Sequence, residues 1–242
     1  MGDRINSRSE NGYIRWYDVT TGDTVDVLTS GPKIIQHFNT TSEMYTDSAV
    51  NSSTSVIADG VCTITLGGAD NDDHDFTSGL IFDPSKGLTA EAWIALNDID
   101  QSAFNFGFSD AITEAADKIA VTSAAGTVTT NATDCAVFYY DADDTTDRVK
   151  AVATHGTNGD GTVITASSAA LVDAAYHRYK VEIDPAGNCK FYYDNVLAGT
   201  TALGVATTAT LCAYFGLIEH PSAGAGVDTA SLKYMHAWQW YA

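Results

Sequence analysis

Apolar and polar residues alternate with a period of two along most of this chain, in short runs closed by turn residues. The clearest run is Leu88 to Leu96, where Leu88, Ala90, Ala92, Ile94 and Leu96 alternate against Thr89, Glu91, Trp93 and Ala95. Residues two apart on a strand share a face, so the run predicts a strand with one face buried. Phe104, Phe106 and Phe108 repeat the pattern with aromatic rings. Cys135 to Tyr140, Arg148 to Thr154, Thr162 to Thr165, Thr210 to Ile218 and Ser231 to Tyr241 continue the series. Tyr176 to Asp184 and Cys189 to Asp194 flank Pro185-Ala186-Gly187-Asn188, a hairpin turn in which Pro and Gly fix the chain reversal. Upstream, Tyr13 to Val19, Thr24 to Leu28, Lys33 to Phe38 and Val61 to Leu66 read the same way.

About a dozen short strands with Gly-rich turns argue for an all-β sandwich or barrel. One short helical stretch, Ala111 to Ala120, is too poorly capped to change that class. Residues 1–12 are polar and pattern-free and read as a flexible arm; residues 13–242 read as a single domain without internal repeat or long linker.

The hairpin from Tyr176 to Asp194 carries an aromatic-rich strand into Asp184-Pro185-Ala186-Gly187 and returns as an aromatic strand ending in Asp194. It resembles the hairpin of concanavalin A-like and laminin-G-like jelly rolls. Gly79-Leu80-Ile81-Phe82 through Leu88 to Ile94 resembles an earlier core strand of that family, and Ser231 to Trp240 its last. The resemblance covers residues 60–242 and implies a two-sheet antiparallel β-sandwich, while leaving the chemistry open. Within that superfold, Phe106-Gly107-Phe108-Ser109-Asp110-Ala111 and Ala136-Val137-Phe138-Tyr139-Tyr140-Asp141-Ala142-Asp143 are similar to virion structural proteins of tailed bacteriophages.

Charge narrows the partners. Against 12 Lys and Arg stand 31 Asp and Glu, a net charge of −19. Such a surface repels phosphate backbones and anionic lipids, so neither nucleic acid nor membrane is an expected partner. No run approaches the roughly 18 apolar residues of a membrane span, and the first residues lack the apolar stretch of a signal peptide. Cys62, Cys135, Cys189 and Cys212 are far apart, each inside an apolar run, and read as buried free thiols.

Few residues suggest chemistry. Glu182-x-Asp184 places two carboxylates on one strand face, as retaining endoglucanases of this fold do with E-x-D-x-x-E, but the third acidic position is Gly187. Both carboxylates read as solvent-facing residues before a turn. Asp70-Asn71-Asp72-Asp73-His74-Asp75 and Asp141-Ala142-Asp143-Asp144-Thr145-Thr146-Asp147 offer clustered oxygen donors for calcium, but read first as solvated acidic turns. The six histidines show no metal-ligand spacing. Trp93 reads as core, and alternation places Trp238 and Trp240 on one face. No catalytic, cofactor-binding or metal-ligating residue is assigned.

The expectation from the sequence is therefore a non-enzymatic virion protein, a capsid decoration or head-associated protein made in a host cytoplasm. It would bind a major capsid protein or another virion protein and could self-associate. A carbohydrate-binding, lectin-like module with a glycan partner is the alternative, and a glycoside hydrolase the weaker one.

Overall fold

The structure is a computed structural model. It describes residues 53–111, 119–156, 161–220 and 228–240 in full, and the strand backbone of residues 4–8, 14–18, 33–36 and 45–47. The expected strand at Thr24 to Leu28 and most of the expected helix after Ala111 lie outside the described residues. Of the segment read as an arm, Arg4–Arg8 is a strand paired with Ile14–Asp18; the rest of residues 1–12 also lies outside the described residues.

In chain order the strands are β1 (Arg4–Arg8), β2 (Ile14–Asp18), β3 (Lys33–Gln36), β4 (Tyr45–Asp47), β5 (Thr54–Ala58), β6 (Val61–Thr65) and β7 (Asp73–Thr77). Then follow β8 (Leu88–Leu96), β9 (Ser102–Ser109), β10 (Val121–Ala124), β11 (Thr127–Thr130), β12 (Cys135–Asp141) and β13 (Lys150–Thr154). The last are β14 (Ile164–Thr165), β15 (His177–Ile183), β16 (Cys189–Tyr193), β17 (Val196–Thr201), β18 (Cys212–Glu219) and β19 (Thr229–Gln239). A seven-stranded sheet has the order β14-β13-β12-β9-β18-β7-β4, and an eight-stranded sheet runs β17-β16-β15-β8-β19-β6-β5, with β3 also paired to β19. The described pairings are antiparallel, and the two sheets pack face to face.

The period-two pattern supplies the core. Leu88, Ala90, Ala92, Ile94 and Leu96 of β8 point inward with Tyr179, Val181 and Ile183 of β15, meeting Phe104, Phe106, Phe108, Ala136 and Phe138 of the opposite sheet. Aromatic rings close the layer edge to face: Phe104 and Phe138 lie 5.3 and 5.4 Å from Tyr179, and Phe138 lies 5.5 Å from Phe191. Such pairs contribute about 0.5–1.5 kcal/mol each beyond burial. All four cysteines are buried and free, as expected. Burial pushes the Cys62, Cys135 and Cys212 thiols up to about 12 and Cys189 higher still. Native protein at pH 8 is therefore expected to resist thiol labelling for hours and to expose four thiols on denaturation; rapid native labelling would contradict this packing.

The outer face of the seven-stranded sheet is also covered. Segment 119–134, containing the β10–β11 hairpin, lies on it, and Ala120, Val121 and Ala132 pack over Cys135, Val137, Tyr139, Val152, Cys212 and Tyr214. Asn105 fixes the lid: its amide Nδ2 donates to Val121 O at 2.9 Å and its Oδ1 accepts from Val121 N at 2.6 Å. The expected acidic loop from Asp70 to Asp75 is only partly a loop. Asp73 begins β7, and Asp72, Asp73 and Asp75 are buried rather than solvated because strand pairing with β18 draws them into the sandwich.

Candidate functional site

One end of the sandwich gathers the connections between β6 and β7, β8 and β9, and β12 and β13, with the end of β18 and the start of β19. Asp70, Asp98, Asp100, Asp141, Asp143, Asp144 and Asp147 all lie on these connections or at their edges.

The expected loop after β12 meets a residue from the end of β18. Asp141 Oδ1 lies 3.5 Å from His220 Nε2, and Asp143 Oδ2 lies 3.8 Å from His220 Nδ1. One donor atom from each residue falls within 4.8 Å of the others. Donors about 2.1 Å from a shared ion have separations of this order. Two carboxylates with an imidazole suit a first-row divalent ion better than calcium, which prefers oxygen alone. Asp141 is held by Ser123 N at 2.7 Å and Asp143 N at 3.0 Å; burial raises its carboxyl above the ordinary range, against these bonds and His220. Neighbouring Asp144 accepts from Lys150 Nζ at 2.5 Å and Ser123 Oγ at 2.6 Å. Burial alone would raise its carboxyl, but these partners bring it below the ordinary range.

Beside this rim a cavity of about 460 Å³ opens between the edge strands of the two sheets, β13–β14 on one side and β16–β17 on the other. Arg148, Thr165, Ser167 and Ser168 line one wall, and Tyr193, Asp194, Val196, Leu197 and Ala198 the other. Its volume lies in the range of small-molecule clefts. The second wall is rigid: His177 stacks on Tyr193 at 5.0 Å, and Asp194 accepts from His177 Nδ1 at 2.8 Å and Arg178 N at 2.9 Å. Burial and the nearby Asp194 push the Tyr193 hydroxyl up, so it stays a neutral donor. Val196 and Leu197 are 68% and 49% exposed, an apolar lip with no cover among the described residues.

The carboxylates that first suggested catalysis lie elsewhere. Glu182 sits on the outer face of the eight-stranded sheet, held by Lys180 Nζ at 2.5 Å and Tyr192 Oη at 3.2 Å. Asp184 caps the hairpin turn: it accepts from Ala186 N, Asn188 N and Asn188 Nδ2 at 2.8–2.9 Å. Both side chains are half-buried and held by these partners, where the sequence suggested freely solvated carboxylates before a turn. Burial alone would raise the Asp184 carboxyl, but the hydrogen bonds from Asn188 and Ala186 outweigh it and hold the carboxyl below the ordinary range. Asp184→Ala is expected to cost about 1–2 kcal/mol in urea unfolding at pH 7. Because the folded carboxyl is depressed, this contribution is full above its unfolded value near pH 4 and fades as pH falls through the folded one. A variant as stable as the parent at pH 7 would contradict the cap. The expected pairing of Trp238 and Trp240 on one face places the Trp240 indole over Thr89, with Nε1 donating to Oγ1 at 2.9 Å.

No family model and no curated protein matches the sequence. Solved structures do. The carbohydrate recognition domain of Emp46p in its potassium-bound form superposes with a TM-score of 0.60 at 9% identity, covering 86% of this chain and 96% of that one. The same domain of Emp47p gives 0.58 at 10% identity, covering 87% and 97%. A Bacillus licheniformis β-glucanase gives 0.56 at 15% identity, covering 87% and 100%. The fold is a concanavalin A-like jelly roll. At these identities the likeness establishes fold alone.

These findings correct the virion expectation. The structures this jelly roll resembles are carbohydrate-recognition domains and polysaccharide-active enzymes, not bacteriophage virion proteins. The two stretches that suggested a phage protein are β9 and β12, whose Phe106, Phe108, Ala136, Phe138 and Tyr140 fill the inter-sheet core. They reported the sandwich, which many proteins share, and not a capsid. The capsid-protein partner and the virion location fall with that reading. Among the described residues, no helix is long and apolar enough to cross a membrane.

Proposed function

We propose that this domain is a non-catalytic carbohydrate-binding module whose ligand occupies the cleft between β13–β14 and β16–β17. The carrying observation is the composition of that cleft: a fixed aromatic ring, an apolar lip and polar groups of both signs around one cavity of about 460 Å³. A sugar has the complementary chemistry. Its C–H face packs on a ring such as Tyr193 or on Val196 and Leu197, and its hydroxyls both donate and accept. Arg148 supplies donors, Asp194 an acceptor and Ser168 both. The fold supports the reading because Emp46p and Emp47p use the same sandwich as a carbohydrate recognition domain. Catalysis is left out of the proposal because Glu182 and Asp184 are engaged in a strand face and a turn.

Screening on a glycan array, followed by titration of the best ligand, tests this. Arg148→Ala, which removes an exposed donor, and Ala198→Trp, which fills the cleft, are each expected to weaken binding about tenfold or more. Circular dichroism should show both variants folded. Binding that ignores both changes would move the site elsewhere, and absence of any bound glycan would overturn the proposal. Sugar release from a polysaccharide would overturn its non-catalytic part.

A further inference from the structure

Asp228 stands just before β19 and is 1% exposed. The backbone here ties two neighbouring connections together. Leu66 N, just after β6, donates to Asp228 O, and Asn97 N, just after β8, donates to Thr229 O, each at 2.9 Å. The side chain is less well served: Asp228 Oδ2 is closed to solvent and has no hydrogen-bond donor. Three other carboxylates repel it: Asp98 from the β8–β9 connection, Glu219 from the end of β18 and Asp173 from the segment before β15. Each of the last two is fixed by a backbone donor. Ile99 N donates to Asp173 Oδ1 at 3.0 Å, and Gly68 N donates to Glu219 Oε2 at 3.0 Å. Among the described residues, no Lys, Arg or His forms an ion pair with any of the four.

A buried charge without a cationic partner is costly, and like charges around it add to the cost. Asp228 has two ways out: it takes a proton, or it reaches water. Protonation removes the charge and turns one oxygen into a donor, which is what a site ringed by carboxylates lacks. Burial, then Asp98 and Glu219, push its carboxyl up to about 7, against a hydrogen bond from Ser102. A carboxyl in water titrates near 4. Between those values the closed junction holds a proton that an opened one has given up. Each pH unit across that window therefore favours opening about tenfold more. Below the window the stabilisation is complete, and above it no more is lost.

We propose that Asp228 is a proton-operated latch on the start of β19. Protonated, it keeps Asp228 and Thr229 against Leu66 and Asn97; ionised, it releases that end of the strand to water. Because β19 lies between β8 and β6, the release frees the ends of both neighbours. The latch tightens in acid, the reverse of the Asp184 cap, whose depressed carboxyl strengthens the fold as pH rises. It does not depend on glycan binding.

The test is hydrogen exchange of the Leu66 and Asn97 amides in the full chain and in Asp228→Asn, which keeps the shape but not the charge. Comparing the two at the same pH cancels the intrinsic pH dependence of exchange. The ratio of parent to variant rates is expected to rise about tenfold per pH unit from about pH 5 to 7 and then to level off. The carboxyl carbon resonance of Asp228 should titrate at about 7 in the folded parent, a signature that a merely structural side chain would not give. A ratio that does not change with pH, or a carboxyl that titrates near 4, would overturn the latch. So would a variant that exchanges faster than the parent at pH 8, the mark of a charge that stabilises the junction. If Asp228→Asn fails to fold, the carboxyl titration of the parent decides alone: an inflection at about 7 supports the latch, and one near 4 overturns it.

Discussion

Gly107→Ala is expected to cost about 3–5 kcal/mol, enough to leave little folded protein if the parent has ordinary marginal stability. Gly107 lies at the centre of β9 with a φ of +150°, a region L-residues rarely enter. A Cβ there would stand 2.2 Å from Ala136 O and 3.0 Å from Val137 Cα, both backbone atoms of β12 that no rotamer change can move. The two costs fall together on the strand that joins β12 to β18. Gly60→Ala is the control: its φ is +78°, but nothing lies within 4 Å of the added methyl. It should cost about 1 kcal/mol, the backbone contribution alone. Denaturant unfolding of the pair separates contact from conformation. Equal losses would mean that β12 moves aside freely and that the tight β9–β12 approach does not matter.

The same strand shows what a sequence can and cannot reveal. Phe104, Phe106 and Phe108 announced their buried face by period alone, because the inner face of a sandwich needs nothing but apolar side chains at every second position. The outer face was silent. Ala103, Asn105, Gly107 and Ser109 look like a solvent-facing strand edge, yet all are buried, Ala103 against Ile119 and Asn105 against Val121. Nothing in Asn105 itself predicts that its partner is the backbone of Val121. The turn from Asp184 to Asn188 was legible because its chemistry is local. The Asp141–Asp147 loop was legible as a set of oxygen donors, but His220 reaches it only through the β9-mediated adjacency of β12 and β18. The cleft at Tyr193 arises from the edges of two sheets, a relation that no local pattern encodes.

Asn105→Leu is expected to release the lid without dismantling the sandwich. The two side chains have similar size, so the change creates no cavity, but it strips Val121 of both partners in a site with no water access. Two buried groups left unsatisfied cost about 2–4 kcal/mol together. The inter-sheet core does not contain Asn105, so the loss should appear as local opening of residues 119–134 rather than as global unfolding. The cysteines report where the opening happens. Cys135 and Cys212 lie on the outer face beneath Ala120 and Val121, whereas Cys62 and Cys189 belong to the inter-sheet core. In the variant the first two thiols should label quickly and the last two slowly, each located by peptide mass. Labelling of all four at one rate would mean the whole sandwich opens together. Labelling of none would mean the lid is held by its apolar contacts alone.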